Sequence, residues 1–178
     1  WIMARKVCDR TTGSPPSTFA RAARLDFGAT KISAFGSTRH KHAQCEQDAN
    51  LQALLAASTP AVTLVGKSWE HHVTHVLNTT PEENLLMIRE SVAYMKSHGR
   101  EVIFDAEHFF DGFLADQEFA LATLEAAAGA GADWLVLCET NGGCLPWQVE
   151  DIVRAAAERT GKPLGVHCHN DSGCAVAN

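Results

Sequence analysis

The segment EVIFDAEHF, residues 101–109, is a short apolar run that ends in acidic and aromatic side chains. Its apolar residues 102–104 are too few for a helix with a defined apolar stripe, and their types favour a β-strand buried on both faces. Asp105 and Glu107 would lie on one side of such a strand, because successive side chains alternate. The segment therefore predicts a buried parallel strand that carries two carboxylates at its carboxyl end.

Four more apolar runs have the same form along the chain. They are KISAFGST (31–38), AVTLVGKS (61–68), DWLVLCETN (133–141) and PLGVHCHN (163–170). Their starts lie about 30 to 40 residues apart, which is the length of a βαβ repeat. The intervals predict helices at 46–57, 80–98, 116–129 and 147–160. Strict alternation of strands and helices predicts an α/β fold with a parallel sheet.

Every run ends in polar residues: Ser37 and Thr38, Lys67 and Ser68, Asp105 and Glu107, Glu139 and Thr140, and His167 and His169. We expect Ser37, Lys67, Glu107, Thr140 and His167 to lie at one rim of the sheet, and this distribution distinguishes a barrel from an open sheet. A (β/α)₈ barrel builds its active site from the carboxyl ends of all its strands, whereas a doubly wound sheet has one site and usually a Gly-rich phosphate loop. The chain contains neither GxGxxG nor a Walker A loop. We therefore predict a partial (β/α)₈ TIM barrel of about five βα units. A whole barrel takes about 250 residues, so three strands are expected to lie outside these 178 residues.

Composition excludes several classes of partner. The net charge of −6 disfavours binding to nucleic acid or to an anionic membrane surface. No apolar stretch approaches the roughly 20 residues of a transmembrane helix. The six cysteines include no CxxC pair, so we expect reduced thiols in a cytoplasmic protein. The basic cluster at 39–42 predicts a solvated loop, with an anion site as the alternative.

The run PLGVHCHN places His167 and His169 on the same side of one strand. Two such imidazoles could share a metal ion, or they could belong to a hydrogen-bonded polar cluster. Asn170 and Asp171 follow directly. They could orient the two rings, or they could simply open the turn to the next element.

Glu107 also has two interpretations. Emerging from a buried strand, it could act as a general acid or base, or it could form an ion pair with Lys67 of the neighbouring strand. Thr140 and Asn141 precede two glycines, where the backbone could approach a ligand closely or could form a turn and a helix cap. The histidines at 71, 72 and 75 predict a surface loop or helix, with a metal role as the minor alternative.

Five segments together resemble the citramalate synthase family: FGSTR, VTLVGKSWEHHV, TTPEENLLMIRESVAYMKSHGREVIFDAEHFFDG, DWLVLCETNGG and GVHCHNDSGCAVAN. That family belongs to the isopropylmalate and homocitrate synthase superfamily, which shares a metal-dependent TIM barrel with hydroxymethylglutaryl-CoA lyase. The resemblance extends from about residue 13 to residue 178. The combination of FGSTR, GKSW and DAEHFFDG points to the citramalate branch.

The resemblance implies a reaction and a set of site residues. His167 and His169 would be ligands of a divalent metal ion (Mg²⁺, Mn²⁺ or Zn²⁺), Glu107 the catalytic carboxylate, and Thr140 a hydrogen-bonding partner of the keto acid. The reaction would condense acetyl-CoA with pyruvate and release citramalate and CoA for isoleucine synthesis. The enzyme would be a cytoplasmic homodimer with small-molecule substrates, pyruvate and acetyl-CoA.

Some parts of the family pattern are missing from the sequence. We find neither the opening strand with its aspartate and arginine nor the final strand, and we assign no ligand to Asp9 in CDRTTG. Glu139 stands where the family usually has aspartate. We expect residues 1–178 to be one partial catalytic domain containing barrel strands three to seven, with 1–15 unassigned and any C-terminal regulatory domain elsewhere. These residues alone should be inactive. The alternatives are a related 2-isopropylmalate or homocitrate synthase, a lyase of the hydroxymethylglutaryl-CoA type, or a non-catalytic gene fragment.

Overall fold

The computed structural model describes residues 2–4, 19, 22 and 24–178. Within this part of the chain, six parallel strands form one sheet in which every strand neighbours the next in sequence. The strands are β1 (Ile2–Ala4), β2 (Ile32–Ser37), β3 (Ala61–Lys67), β4 (Glu101–Glu107), β5 (Trp134–Glu139) and β6 (Leu164–Cys168). The helices are α1 (Ala49–Ala56), α2 (Glu70–His75), α3 (Pro81–Ser97), α4 (Phe109–Ala115), α5 (Gln117–Gly129) and α6 (Pro146–Thr160), with a short 3₁₀ turn at Cys45–Gln47.

All five predicted strands and all four predicted helices are confirmed. The sheet has six strands where five were predicted. The additional strand, β1, has three residues, which are too few to establish an alternation pattern. Helix α4 was also not predicted, and it begins only two residues after β4. The residue between them, His108, has a left-handed backbone (φ 55°) and no side-chain cap. The CDRTTG motif with Cys8 and Asp9 lies outside the described residues.

The two faces of the sheet differ in chemistry. The outer face carries large apolar side chains that are fully buried against the helices, among them Leu64, Phe104 and Leu137. Each such side chain contributes about 1.5–3 kcal/mol to folding. The alternate positions point to the inner face and are largely polar, as Thr63, Asp105 and Cys138 illustrate. The described fold is therefore stabilised mainly on the outer face, while the inner face holds the reactive groups.

The basic cluster at 39–42 is not a solvated loop at Arg39. Its side chain is 4% exposed, and its guanidinium contacts Glu83 at 2.8 Å and Glu90 at 2.7 Å on α3. His40 is exposed, and its ring lies 2.8 Å from the carboxylate of Asp48. The solvated-loop interpretation is therefore wrong for Arg39, which joins β2 to α3. Its charge is satisfied by carboxylates and does not form an anion site.

Two further expectations concern the environment of the chain. The described residues contain five cysteines, at 45, 138, 144, 168 and 174, and all five are free thiols. Among the described helices, none combines the length and the apolar character that crossing a bilayer requires.

Candidate active site

The carboxyl ends of the strands bring the predicted polar residues to one edge of the sheet. Ser37 pairs in register with Val65, Lys67 with Glu107, and Cys138 with His167. Because all strands are parallel, Ser37, Lys67, Glu107, Thr140 and His167 share this edge. The prediction that these five residues lie at one edge of the sheet is confirmed.

Glu107 and Lys67 occupy directly paired positions on β4 and β3. The Lys67 ammonium contacts the Glu107 carboxylate, and both side chains remain partly exposed, at 21% and 30%. The ion pair expected as one alternative is therefore present. A partly exposed carboxylate can still meet a substrate, so the contact is also compatible with a role as a base.

Thr140 is tied to the residue that follows Glu107. The backbone N–H of His108 donates to Thr140 Oγ at 3.0 Å. Asp111 completes the link between the two strand ends, because one of its carboxylate oxygens lies 2.9 Å from His108 Nδ1 and the other accepts from Asn141 Nδ2 at 2.8 Å. Neither His108 nor Asp111 was predicted as a site residue. Their signal was the DAEHFFD spacing, which places Asp111 one helical turn after His108.

The loop after β5 lies against the turn after β6. Gly142 has φ +66°, and a Cβ at this position would lie 2.3 Å from Asp171 Oδ2. The N–H of Ser172 donates to the Gly142 carbonyl at 2.9 Å. Asn170 accepts from the N–H of Ala175 at 3.1 Å, which is the turn role expected as one of its alternatives. The close approach at Gly142 is therefore to this turn of the chain itself.

Glu139 adjoins Thr140 at the end of β5, but its side chain does not lie with the polar residues of the active edge as expected. Strand alternation places it on the outer face, where it is 1% exposed. Its Oε1 accepts from the N–H groups of Gly143 at 3.0 Å and Cys144 at 3.4 Å. Its Oε2 is buried without a hydrogen-bond partner. Glu139 thus anchors the loop that carries Asn141 and does not face the site.

His167 and His169 lie on the inner side of β6, with ring centroids 5.2 Å apart. Both residues are exposed, so both rings are accessible from the inner face. This spacing is compatible with two imidazole ligands of one ion. No described residue hydrogen-bonds either ring, so the alternative of a hydrogen-bonded polar cluster has no supporting contact within the described part of the chain.

Asp105 and Cys138 lie deeper on the same face and were not predicted as site residues. Asp105 is 4% exposed, and its Oδ1 has no hydrogen-bond partner. Burial, with a smaller effect from the charge of Glu107, raises the pKa of Asp105 to about 6. Burial also raises the pKa of the Cys138 thiol. Their parity with Glu107 and Thr140 was visible in the sequence, but their proximity across two strands was not.

The histidines near residue 70 form ring contacts. His71 and His75 stack with centroids 4.3 Å apart, and the ring of His72 meets that of His108 edge-on at 4.3 Å. Burial, followed by the charges of His108 and Lys67, lowers the pKa of His72. Among the described residues, the one group of at least three side chains placed to hold a metal ion is Asp105, Cys138 and His167, so it includes none of these histidines.

Comparisons with known proteins agree with this architecture. The chain is 51% identical over 161 residues to the (R)-citramalate synthase of Aquifex aeolicus, covering 90% of this chain and 30% of that protein. A 2-isopropylmalate synthase of Sulfolobus acidocaldarius is 40% identical over 108 residues, covering 60% of this chain and 27% of that protein. The chain thus spans about 30% of the length of the Aquifex aeolicus synthase.

Solved structures give the fold. The hydroxymethylglutaryl-CoA lyase of Bacillus subtilis superposes with a TM-score of 0.72 at 18% identity, covering 90% of this chain and 53% of the lyase. The prediction of a partial (β/α)₈ barrel is confirmed. The sequence pattern described as HMGL-like matches residues 18–178. With that match over most of its length, the chain belongs to the HMGL-like family.

Proposed function

We propose that this chain forms the central part of the catalytic barrel of a citramalate synthase. This acyltransferase would condense acetyl-CoA with pyruvate to give citramalate and CoA. The observation that carries the proposal is the position of Glu107, a partly exposed carboxylate at the active edge of the sheet, held by Lys67 and linked through His108 to Thr140. The identity to an (R)-citramalate synthase supports pyruvate as the keto acid.

Glu107 would act as the general base. Its carboxylate takes a proton from the methyl group of acetyl-CoA, and the C–H electron pair forms the enolate of the thioester. The enolate carbon then attacks the keto carbon of pyruvate, a C–C bond forms, and the keto oxygen ends as an alcohol after taking a proton. Water subsequently adds to the thioester carbonyl, and the CoA thiolate leaves. Lys67 is a positioning residue, since its ammonium fixes the carboxylate in place.

Thr140 would orient the keto acid. Its oxygen already accepts the N–H of His108 at 3.0 Å, and its own hydrogen has only a long contact of 3.5 Å to the Cys138 carbonyl. The hydroxyl can therefore donate to an oxygen of a bound keto acid. The position of this hydroxyl is set by the end of β4, so it is coupled to the position of Glu107.

His167 and His169 would hold a divalent metal ion. Two accessible imidazoles on one face, with ring centroids 5.2 Å apart, suit a borderline cation as two of its ligands. An ion bound there would polarise the keto carbonyl of pyruvate. By the family resemblance, a carboxylate ligand and an arginine come from segments outside the described residues.

A hybrid synthase tests the proposal. In the hybrid, the matched segment of the Aquifex aeolicus enzyme is replaced by the residues of this chain, and the assay follows CoA release from acetyl-CoA with added Mg²⁺ or Mn²⁺. Pyruvate-dependent CoA release and citramalate in the product mixture are the expected result. The 178-residue chain assayed alone should release no CoA, because it supplies only part of the proposed site.

The same assay separates the alternatives. A preference for 2-oxoisovalerate or 2-oxoglutarate over pyruvate would indicate a related synthase, and cleavage of hydroxymethylglutaryl-CoA would indicate a lyase. A hybrid that is folded but inactive with every keto acid would favour a non-catalytic chain. From the family resemblance, we further propose that the complete enzyme is a cytoplasmic homodimer that serves isoleucine synthesis. Light scattering would test the dimer, and growth without isoleucine would test the biosynthetic role.

A further inference from the structure

The deeper part of the inner face brings together three different metal-binding side chains. Cys138 and His167 occupy paired positions on β5 and β6, and Asp105 lies on the neighbouring strand β4. One ligand atom from each of the three lies within 4.8 Å of the other two. This spacing allows a single cation to contact all three after small side-chain adjustments.

Asp105 supplies an independent reason to expect a ligand. Its residue is 4% exposed, and Oδ1 is buried without a hydrogen-bond partner. The other buried carboxylates each accept backbone N–H groups. Asp48 accepts those of Asn50 and Leu51, and Glu139 accepts two through Oε1, although its Oε2 has no partner. A buried carboxylate oxygen without a donor requires a proton or a cation to offset its desolvation.

The donors indicate the class of cation. The thiolate of Cys138 distinguishes this donor set, because thiolates suit Zn²⁺ and similar borderline or soft ions and bind a hard ion such as Mg²⁺ poorly. Ligation would release the Cys138 thiol proton to solvent, a step that the charge of the bound dication favours. The hydrogen-bond contact given up is a long one, 3.9 Å to the Val136 carbonyl. Three protein ligands would leave a fourth position open toward the inner face.

We propose that Asp105, Cys138 and His167 form a second cation site, which binds Zn²⁺ or a similar thiophilic divalent ion and inhibits the enzyme. Inhibition follows because His167 belongs to both sites. When His167 ligates an ion that Cys138 also binds, it is not available to ligate the catalytic ion together with His169. Two dications on one neutral imidazole would also repel each other. The binding site stands on the geometry alone, and only its inhibitory effect rests on the proposed function.

Cobalt(II) is the probe for the site in the 178-residue chain. We expect binding to produce a sulfur-to-cobalt charge-transfer band in the near ultraviolet. The band should be lost in Cys138→Ser and weakened at least tenfold at equal cobalt concentration in Asp105→Asn. Cys168→Ser is the matched control, because Cys168 lies next to His167 but on the opposite face of β6. A band of unchanged intensity in Cys138→Ser, or equal loss in Cys168→Ser, would overturn the site.

A measurement on the unmodified chain covers the case in which a variant fails to fold. Zinc-edge X-ray absorption should detect a sulfur neighbour at about 2.3 Å, the ordinary Zn–S distance. A zinc coordination shell that contains only nitrogen and oxygen atoms would overturn the proposal, and this result would not depend on any variant.

Inhibition is tested separately in the hybrid synthase. Zinc added to the Mg²⁺-driven reaction should inhibit it, and Cys138→Ser should raise the half-inhibiting zinc concentration at least tenfold. Equal inhibition of both proteins would overturn the inhibitory role. A hybrid without any Mg²⁺-driven activity would count against the proposed function, while the cobalt and X-ray measurements would still decide the cation site.

Discussion

Lys67 and Glu107 face each other on adjacent parallel strands, and the ammonium of the first contacts the carboxylate of the second. The pair lies at the end of the register that joins β3 to β4, so the backbone fixes where the carboxylate emerges. This relationship makes Glu107 the first residue to test.

Glu107→Gln in the hybrid synthase should lower turnover about a hundredfold or more, because an amide cannot accept the methyl proton. Metal affinity should stay nearly unchanged, since no proposed ligand is removed. Steady-state kinetics and a metal titration measure the two effects. Glu101→Gln is the control, because Glu101 begins the same strand and pairs with Lys31 at the opposite edge. Equal losses in both variants would contradict the assignment.

His167→Ala and His169→Ala in the hybrid should each lose bound Mg²⁺ or Mn²⁺ together with activity. The two imidazoles are proposed to ligate the same ion, and removal of either leaves an incomplete site. Equilibrium dialysis measures the occupancy. His98→Ala, at the amino-terminal side of β4, should behave like the parent. Normal metal occupancy in both site variants would exclude them as ligands.

Arg39→Met should destabilise the chain by about 2 kcal/mol. The expected cost is below the 3–5 kcal/mol typical of breaking a fully buried pair, because the Glu90 carboxylate is half exposed and can be hydrated. Urea unfolding followed by circular dichroism gives the value. Arg89→Met on the exposed side of α3 should change stability by less than about 0.5 kcal/mol. A negligible effect at position 39 would show that the contacts with α3 contribute nothing.

Asp105→Asn should stabilise the chain in EDTA above pH 6. Burial raises the folded pKa of Asp105 to about 6 from 3.8, so the folded state binds the proton more tightly than the unfolded state does. Ionisation of the buried Asp105 therefore lowers the free energy of unfolding of the parent chain. This loss of stability is absent below about pH 4, grows between pH 4 and 6, and is complete above pH 6. At pH 8 it amounts to about 3 kcal/mol, since a tenfold change in an equilibrium is worth about 1.4 kcal/mol.

Urea unfolding at pH 4.5 and pH 8 measures this difference between variant and parent. Asp133→Asn is the control with the opposite sign. Burial opposes ionisation of Asp133, but hydrogen bonds from Lys96 and the Val102 N–H outweigh it and lower the pKa of Asp133. The ionised Asp133 carboxylate therefore stabilises the folded state above the unfolded pKa, and this stabilisation is lost as the pH falls. Replacement of Asp133 should destabilise the chain at pH 8. A pH-independent effect of Asp105→Asn would contradict the predicted ionisation.

Gly142→Ala should lower stability by about 1–2 kcal/mol and raise the KM of the hybrid for pyruvate. A Cβ here would lie 2.3 Å from Asp171 Oδ2, and the left-handed φ is costly for alanine. The displaced loop begins directly after Thr140, the proposed contact with the keto acid. Gly143→Ala is the matched control, because its Cβ would meet no atom within 4 Å. Equal effects at the two glycines would refute a specific role for the close approach.

Local periodicity was sufficient for much of the fold and for part of the site. Alternation within one strand correctly placed His167 and His169 on a common side, and the same rule put Asp105 beside Glu107. The same rule places the side chain of Glu139 on the outer face, although Glu139 adjoins Thr140 in sequence. The prediction of a solvated loop was wrong for Arg39 for a different reason. Its partners Glu83 and Glu90 are more than 40 residues away in sequence. The grouping of Asp105 with Cys138 and His167 depends on register across three strands, which no local pattern encodes.

The apolar packing lies on the outer face of the sheet and the polar site residues lie on the inner face, and this separation affects how the fold can acquire new reactions. Because the apolar contacts that hold the strands and helices together are on the outer face, side chains on the inner face can be exchanged at modest cost to folding. A lineage can therefore try different acids, bases and ligands on one unchanged framework.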